Sequence, residues 1–329
     1  MSFIQPNDHI ILMDMFVRYE EPDHFLSLDD TKALFDAGIK TAYCCVNRWS
    51  NNEPMWGAYN WARIDKRVEE LLQCGFKVAV NTTCDLPAYF PDEWYACTVN
   101  GRVKGAINIW NDDAMSYMLG YYKKLRSHFP DNVLVVNSFL TDGETAYLLE
   151  PAWIGDWSAI NDHKRKNGCE PYAGGIETNN WLRASYIEAL TKLQKVLITN
   201  PYREIWTQLH SQIGDFPGGL YAGCRWVEDF VASYRALGAD VSIVHIYYTW
   251  VQWVNAWAKM NDTAARYGER VFGGAEYASG LPGTTPTAIS QGIHGQIISP
   301  CHPYTGLIVI EPWMLDNIQT AVRLWEAVS

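Results

Sequence analysis

The sequence is short of positive charge, and this shortage excludes one large class of partners. Its 329 residues include 26 lysines and arginines against 37 aspartates and glutamates, a formal net charge of -11. Proteins that bind nucleic acids neutralise phosphates with lysine and arginine, and this chain has neither a surplus nor a run of basic residues. We therefore expect no nucleic-acid partner.

Long apolar runs are also missing. No stretch approaches the length of a membrane span, and the first residues lack the charged start and the apolar core of a signal peptide. We therefore expect no membrane partner. We also expect a protein that is cytoplasmic or leaves the cell by a route that needs no signal peptide.

The spacings that mark metal, disulfide and cofactor sites are absent. The eight cysteines contain no Cys-x-x-Cys pair, and the histidines form neither a His-x-His nor a His-Glu-x-x-His motif. The chain also has no P-loop, no dinucleotide-binding glycine fingerprint and no nucleophile elbow around a serine. We therefore expect free buried thiols, no bound metal and no organic cofactor.

What the sequence does contain is a regular alternation of strand and helix patterns, in a chain whose 48% of hydrophobic residues can bury a large core. Strands are predicted near 9–17, 41–48, 77–84, 133–141, 204–210, 241–249, 270–276 and 306–311, and helices near 27–38, 61–75, 111–128, 178–199, 224–238, 251–267, 285–297 and 313–328. Strict alternation favours a parallel sheet, and eight units without a dinucleotide fingerprint favour a closed barrel over a doubly wound sheet. The predicted fold is a single (β/α)8 TIM barrel with eight parallel strands, which forms one catalytic domain over residues 1–329.

The most distinctive segment lies between the second predicted strand and the helix after it. Residues 48–65 read RWSNNEPMWGAYNWARID, and the loop after the third predicted strand reads DLPAYF. This part of the chain resembles the pattern W-S-x-x-E-P-x-x-G-x-Y-x-F/W-x-x-[LI]-D of retaining glycoside hydrolases of the large (β/α)8 clan, clan A, especially its β-galactosidase branch, family 42. The resemblance covers residues 41–90. It implies a sugar-cleaving enzyme with an oligosaccharide or polysaccharide as its substrate.

Two glutamates stand at strand ends, where a barrel of this kind carries its chemistry. Glu144 follows the fourth predicted strand through a tight turn at Gly143, and Glu276 ends the seventh. The resemblance implies that Glu144 is the general acid/base and Glu276 the nucleophile of a double displacement. Asp142 is a rival to Glu144, or a neighbour that raises its pKa through like-charge repulsion, and Glu311 is a second rival after the eighth strand.

The residue before Glu144 departs from the retaining pattern. That clan places asparagine at this position, and this chain has Gly143. A Gly-Glu pair at the end of the fourth strand resembles the β-amylases instead, which share the barrel and its two glutamates but invert the configuration of the sugar. We favour retention, and inversion stays open.

Other strand-end residues are candidates for supporting the two glutamates. The resemblance implies that Arg48, ending the second strand, and Tyr247, or its neighbour Tyr248, ending the sixth, keep the nucleophile ionised. It also implies that Trp313, after the eighth strand, forms a floor under the sugar. A rigid aromatic ring offers the apolar face of a sugar a contact at a small entropic cost.

Loops at the strand ends supply further candidates for substrate contacts. Trp49 is a candidate for stacking, and Asn81, Asp85, Asp142 and His210 are candidates for hydrogen bonds to sugar hydroxyls. The alternative from another functional class is a carbohydrate-binding or assembly protein that kept the barrel without its chemistry. The sequence leaves open the sugar, the linkage and the oligomeric state.

Overall fold

Seven of the described strands form one parallel sheet, and two more form a hairpin. A computed structural model describes the protein at residues 3, 10–15, 27–83, 86–98, 101–108, 111–135, 188–189, 191–193, 195–196, 232, 236–238, 242–246, 271–277 and 307–310. In chain order the strands are β1 (Ile10–Met15), β2 (Thr41–Arg48), β3 (Lys77–Thr83), β4 (Tyr95–Thr98), β5 (Gly101–Ile107), β6 (Leu134–Val135), β7 (Ser242–Ile246), β8 (Val271–Tyr277) and β9 (Leu307–Ile310). The order across the sheet is β6-β3-β2-β1-β9-β8-β7, so β1 and β9 are hydrogen-bonded neighbours.

The strands of this sheet are staggered along their length. One row of paired residues runs from Glu276 through Val309, Ile11 and Thr41 to Lys77. Glu276 lies five residues beyond the start of β8, whereas Lys77 is the first residue of β3. Along this row the offset from the strand start falls from five residues in β8 to two in β9, one in β1 and none in β2 and β3.

The predicted strands are confirmed wherever the structure describes them. The seven strands of the parallel sheet correspond to the first four and the last three predicted strands, and six of them agree to within three residues at each end. β6 agrees at its start, and residues 136–141 of the prediction lie outside the described residues. The fifth predicted strand, 204–210, lies outside the described residues. The expectation of a parallel sheet is therefore confirmed in this part of the chain.

Three helices alternate with these strands at the predicted places, and one more, of a single turn, was not predicted. They are α1 (Leu28–Ala37), the one-turn α2 (Trp49–Asn52), α3 (Ala62–Cys74) and α4 (Asp112–His128). Residues 188–189, 191–193 and 195–196 are helical within the prediction at 178–199, and residues 232 and 236 within that at 224–238. The predicted helices at 251–267, 285–297 and 313–328 lie outside the described residues. No helix in the described ranges is long and apolar enough to cross a membrane.

The starts of α1 and α4 are fixed by side chains that accept backbone hydrogen bonds. Ser27 Oγ accepts from the Asp30 N–H at 3.1 Å, and Asn111 Oδ1 accepts from the Ala114 N–H at 2.9 Å. The first turn of a helix has N–H groups without partners in the helix, and serine and asparagine are among the residues that best supply one. Acidic residues follow each cap, where the helix dipole favours negative charge.

α1 and α3 pack closely against each other, and α3 also packs against β2 and β3. Gly75 ends α3 at a φ of 97°, and a Cβ at this position would lie 2.8 Å from the Phe35 ring. Glycine is therefore required here both for its backbone conformation and for the close approach of α1. The buried Arg67 of α3 donates from Nη2 to Thr31 Oγ1 of α1 at 3.2 Å, and Phe35 contacts Phe76 edge to face at 5.2 Å.

The amino edge of the sheet, where its parallel strands begin, is covered by the side chain of Phe3. Phe3 is fully buried, and Lys77, the first residue of β3, donates from Nζ to its carbonyl oxygen at 2.9 Å. The same ammonium group lies 5.7 Å from the centre of the Phe3 ring. Lys77 thus stabilises the amino edge, at the opposite end of β3 from the loop that leaves its carboxyl end.

The antiparallel hairpin of β4 and β5 was not predicted from the sequence. Tyr95 pairs with Ile107, and Thr98 pairs with Gly101, so two residues connect the strands. The sequence pair Asn100-Gly101 is a strong hairpin signal when strand-like residues flank it. The hairpin extends the segment that leaves β3 before the chain reaches α4.

Candidate functional site

The carboxyl edge of the sheet is where its parallel strands end and where a site on this kind of sheet is expected. β2 ends at Arg48 and β3 ends at Thr83, and these two residues are paired. On the other side of β1, β9 ends at Ile310 and β8 at Tyr277. The loops that follow these strands therefore leave the sheet from the same edge.

Four of the predicted site residues lie at or near this edge, and one of them, Trp49, directly follows β2 as the first residue of α2. Arg48 is the last residue of β2, Asn81 lies in β3 opposite Cys45, and Glu276 is the second-last residue of β8 opposite Val309. Their backbone positions agree with the predicted strand ends. The remaining candidates lie outside the described residues: Asp85, Asp142, Glu144, His210, Tyr247 and Trp313, with the rivals Tyr248 and Glu311.

The best-defined part of this edge is the segment after β2, and its centre is a buried carboxylate. The Glu53 residue is fully buried. Its Oε2 accepts from Trp49 Nε1 at 2.7 Å, and its Oε1 accepts from the Gly57 N–H at 2.7 Å and from the Tyr117 hydroxyl. A buried charge is costly unless hydrogen bonds replace its lost water, and these three donors do so.

Two tyrosine hydroxyls beside Glu53 are held in their protonated form. Burial, followed by the hydrogen bond to Glu53, raises the pKa of Tyr117 far above its ordinary value. Burial and the charge of Glu53 likewise raise the pKa of Tyr89, whose hydroxyl donates to the Glu53 carbonyl oxygen at 2.6 Å. Both tyrosines therefore remain donors to the segment after β2.

Rings from three parts of the chain surround this carboxylate and form what we term the aromatic cluster. Trp49 stacks on Tyr121 of α4, with ring centres 4.4 Å apart and planes at 19°. Asn52, one turn after Trp49, donates from Nδ2 to the Tyr121 hydroxyl at 3.0 Å. The members come from the segments after β2 and β3 and from α4: Trp49, Trp56, Phe90, Trp94, Tyr117 and Tyr121.

The later half of the segment after β2 is also bound to α4. Tyr59 and Trp61 stack at 5.4 Å, and Trp61 stacks on His128 in the last turn of α4 at 5.1 Å. His128 Nε2 lies 2.5 Å from Asp65 Oδ1, and the ammonium group of Lys124 lies 4.1 Å from the centre of the Tyr59 ring. The whole segment is therefore fixed along one side of a helix that begins after the hairpin.

Trp49 lies in a different environment from the one expected of a stacking platform. Only 1% of its surface is exposed, and its indole contacts other rings and donates to Glu53. The structure thus gives Trp49 a structural contact that sequence reasoning missed, and its contact with a substrate stays a prediction. The buried role of Glu53 was also missed, although the residue stands inside the motif, directly before Pro54.

The described residues contain no group of three or more histidine, cysteine, aspartate or glutamate side chains placed to hold a metal ion. The two cysteines whose side chains are described, Cys44 and Cys74, are free thiols, and Cys44 is buried.

Comparisons with known proteins find solved structures of similar fold at low sequence identity. No family model matches the sequence, and no curated protein is similar to it. Among solved structures, the catalytic domain of a β-amylase from Paenibacillus polymyxa is 12% identical, with a TM-score of 0.67, over 95% of both chains. The β-galactosidase from the psychrophilic Marinomonas ef1 is 12% identical, with a TM-score of 0.64, over 96% of this chain and 59% of its own.

A family 42 β-galactosidase from G. stearothermophilus is similar over the entire chain. It is 13% identical, with a TM-score of 0.64, and the match covers 57% of that protein. This chain thus spans a little more than half the length of the β-galactosidases and nearly all of the β-amylase domain. At these identities the likeness shows a shared fold.

Proposed function

We propose that the protein is a glycoside hydrolase that cleaves O-glycosidic bonds with two glutamates at the mouth of a (β/α)8 barrel. The observation that carries the proposal is that the chain shares the fold of glycosidases over its whole length. Glu276 lies next to the carboxyl end of β8, where this fold would place a catalytic group. Catalytic groups of such barrels stand at the carboxyl ends of strands. Fold alone does not establish activity, so the proposal depends on these residues and is tested through them.

The eight-stranded barrel is part of the proposal. β1 and β9 are neighbours, which leaves β6 and β7 at the two edges of the seven-stranded sheet. The predicted strand at 204–210 lies between them in the chain and would join them. We propose that this single barrel spans residues 1–329 as one domain.

In the proposed mechanism the two glutamates carry opposite protonation states. Glu144 donates a proton to the leaving oxygen, and Glu276 attacks the sugar as an ionised nucleophile. Arg48 and Tyr247 favour the ionised form of Glu276 with a positive charge and a hydroxyl donor. The support for Arg48 is its place at the end of β2, which two strands separate from β8.

The substrate in this proposal is an oligosaccharide or polysaccharide held at the carboxyl edge. Trp313 stacks on the sugar at the cleavage point, and the hydroxyls of the sugar form hydrogen bonds with polar groups at the strand ends. The proposed contacts of the substrate are Trp49, Asn81, Asp85, Asp142 and His210. Of these, Asn81 has the described position in β3, next to β2 and close to the strand's carboxyl end.

An inverting, β-amylase-type hydrolysis is the second candidate. The β-amylase domain is matched over 95% of both chains, and Gly143 precedes Glu144 where the retaining clan has asparagine. The distance between the two catalytic carboxyl groups separates the mechanisms. Retention needs about 5–5.5 Å, and inversion needs about 6.5–9.5 Å to admit a water molecule.

A panel of nitrophenyl glycosides and oligosaccharides tests the proposal. Glu276→Gln should abolish turnover of every substrate that the wild type cleaves. Glu144→Gln should spare substrates with activated leaving groups, which need no proton from the enzyme. Glu69→Gln, an exposed position on α3, serves as the matched control and should keep wild-type rates.

The anomer released first, followed by NMR, assigns retention or inversion. Equal losses on activated and unactivated substrates in Glu144→Gln would contradict its role as the acid. A wild-type protein that binds oligosaccharides but cleaves none of the panel would favour the carbohydrate-binding barrel and reject the hydrolase.

A further inference from the structure

We infer that Trp56 is an outer stacking platform for a saccharide chain, and that it determines the preference of the proposed site for substrates of several sugar units. The inference takes its substrate class from the proposed function. The observations that support it concern the exposure of this ring, the rigidity of its support, its place on the sheet and the charge around it.

Trp56 is exposed although it belongs to the aromatic cluster. About half of the residue, 52%, is accessible to solvent, and its neighbour Met55 is 67% exposed. They are two of the three large apolar residues that are exposed in the described part of the chain. An exposed tryptophan beside an exposed methionine leaves an apolar surface that lacks a protein partner within these residues.

The ring is nevertheless held in one position. Its centre lies 5.1 Å from that of Phe90, 5.3 Å from that of Trp94 and 5.5 Å from that of Tyr117. The contacts with Phe90 and Tyr117 are edge to face, an arrangement that aromatic pairs prefer. A platform that is already fixed loses little side-chain entropy when a ligand stacks on it.

The backbone around Trp56 is equally fixed. The Ala58 N–H donates to the Met55 carbonyl at 2.8 Å and closes a tight turn with Trp56 and Gly57 at its centre. Gly57 has a φ of 75°, a conformation that favours glycine, and its N–H donates to the Glu53 carboxylate. Buried Glu53 therefore orients the turn that presents Trp56 to solvent.

The position of this surface is on the carboxyl edge of the sheet. Trp56 follows the end of β2, and its partners Phe90 and Trp94 follow the end of β3. Two neighbouring strands thus deliver their loops to the same ring. The proposed cleavage site lies at this edge, so a chain that extends outward from it can reach the surface of these loops.

The charge near the ring favours a neutral ligand with hydroxyl groups. Asp92 and Glu93 are exposed on the 3₁₀ turn that ends at Trp94, and the whole chain has a net charge of -11. Carboxylates repel phosphates and anionic lipid surfaces but accept hydrogen bonds from hydroxyls. A sugar unit combines an apolar face for Trp56 with hydroxyls at its rim, so a neutral saccharide is the ligand that this chemistry fits.

The test compares Trp56→Ala with Leu28→Ala across saccharides of increasing length. Leu28 is 49% exposed on α1 and is a matched removal of an exposed apolar side chain. Trp56→Ala should weaken binding of chains of three or more sugars by about tenfold, measured by titration calorimetry and as KM, the size of one lost stacking contact. Trp56→Ala also removes the ring contacts with Phe90, Trp94 and Tyr117, so a lower melting temperature is expected and both proteins are compared where they are folded. Under these conditions rates on nitrophenyl monosaccharides should stay near wild type, and Trp56→Phe should recover part of the affinity.

Each outcome bears on one of the two proposals. Equal loss of affinity for short and long substrates in Trp56→Ala, or none for either, would overturn the outer platform and leave hydrolysis standing. A wild type that cleaves nitrophenyl glycosides but gains no affinity with chain length would also overturn it. A protein that cleaves nothing, yet loses length-dependent binding only in Trp56→Ala, would reject the hydrolase and support the platform. A change of oligomeric state in Trp56→Ala, seen by light scattering without a change in saccharide affinity, would assign the surface to a second copy and overturn the inference.

Discussion

The two edges of the parallel sheet are stabilised by different means. At the amino edge the buried residue Phe3 lies beside the start of β3. Lys77, the first residue of β3, donates a hydrogen bond to the Phe3 carbonyl oxygen. At the carboxyl edge a fully buried carboxylate, Glu53, takes three hydrogen bonds and is surrounded by aromatic rings. The first arrangement requires burial of apolar surface, and the second requires that several polar groups meet in one geometry.

This difference shows that the buried carboxylate serves mainly to position the segment after β2 and contributes less to stability. A buried charge with matched donors is weak evidence for stability, because its desolvation offsets much of what the hydrogen bonds contribute. What it provides is a single arrangement of the backbone after β2. Phe3 can be replaced by any side chain of similar volume, whereas Glu53 has partners that only another acceptor could satisfy.

Removal of Glu53 should have the largest effect. Glu53→Ala leaves Trp49 Nε1, the Gly57 N–H and the Tyr117 hydroxyl without their acceptor, and should lower the free energy of unfolding by about 3–5 kcal/mol. Urea unfolding measures this loss. Glu69→Ala, at an exposed position on α3, should stay within about 0.5 kcal/mol of wild type. A loss below about 1 kcal/mol in Glu53→Ala would mean that the two edges do not differ as described.

Truncation of Phe3 should have the second-largest effect on the free energy of unfolding. It should lower stability without changing activity. Phe3→Ala removes a buried ring and should cost about 3 kcal/mol, the lower end for such changes, because the sheet edge can collapse around it. Phe3→Leu should cost less than about 1.5 kcal/mol. Hydrolysis rates measured where both proteins are folded should be unchanged in Phe3→Ala and reduced in Glu53→Ala. A lower rate in Phe3→Ala would contradict the division of roles between the edges.

Alkaline pH should give the smallest effect, and within the described residues we expect it from two tyrosines at the carboxyl edge. Tyr89 and Tyr117 have raised pKa values in the folded protein, so from about pH 10 upward the unfolded chain loses these protons first and the free energy of unfolding falls. Partial exposure screens the effect, so each tyrosine should contribute less than about 1.4 kcal/mol per pH unit.

Urea unfolding across this pH range, in the wild type and in the double variant Tyr89→Phe with Tyr117→Phe, tests this prediction. The slope of stability against pH should be smaller in the double variant and should keep its wild-type value in Phe3→Ala. An unchanged slope in the double variant would show that these hydroxyls do not carry the effect.

The sequence predicted the strands well because each strand of the parallel sheet is a short apolar run. β2 matches its prediction at both ends, and the helix pattern of Ile64, Val68 and Leu71 corresponds to the buried side of α3. These are local signals, written in residues close together in the chain. Asn100-Gly101 is likewise a local signal for the hairpin of β4 and β5, which the predicted strands do not include.

The surroundings of Glu53 could not be predicted in the same way. Its partner Tyr117 lies 64 positions along the chain, and Tyr89 lies 36 positions away. Nothing in the periodicity of α4 says which of its tyrosines meets the segment after β2, because that contact depends on how the helix packs. The roles of Glu144 and Glu276 depend on an equally distant meeting, and so they stay predictions.

The pairing of β1 with β9 has a consequence for the order in which the protein folds. It joins Ile10 to Ile308 and Leu12 to Ile310, whereas β2 pairs with β1 and β3, the strands before and after it in the chain. Loop closure grows more costly with chain separation, and sheets with distant partners form slowly. The first three strands and their helices are therefore expected to assemble early, and the β1–β9 seam late. Interactions that form only after the rate-limiting step change the unfolding rate and leave the folding rate unaltered. The strength of the β1–β9 seam is therefore expected to govern how long the native state persists before it unfolds.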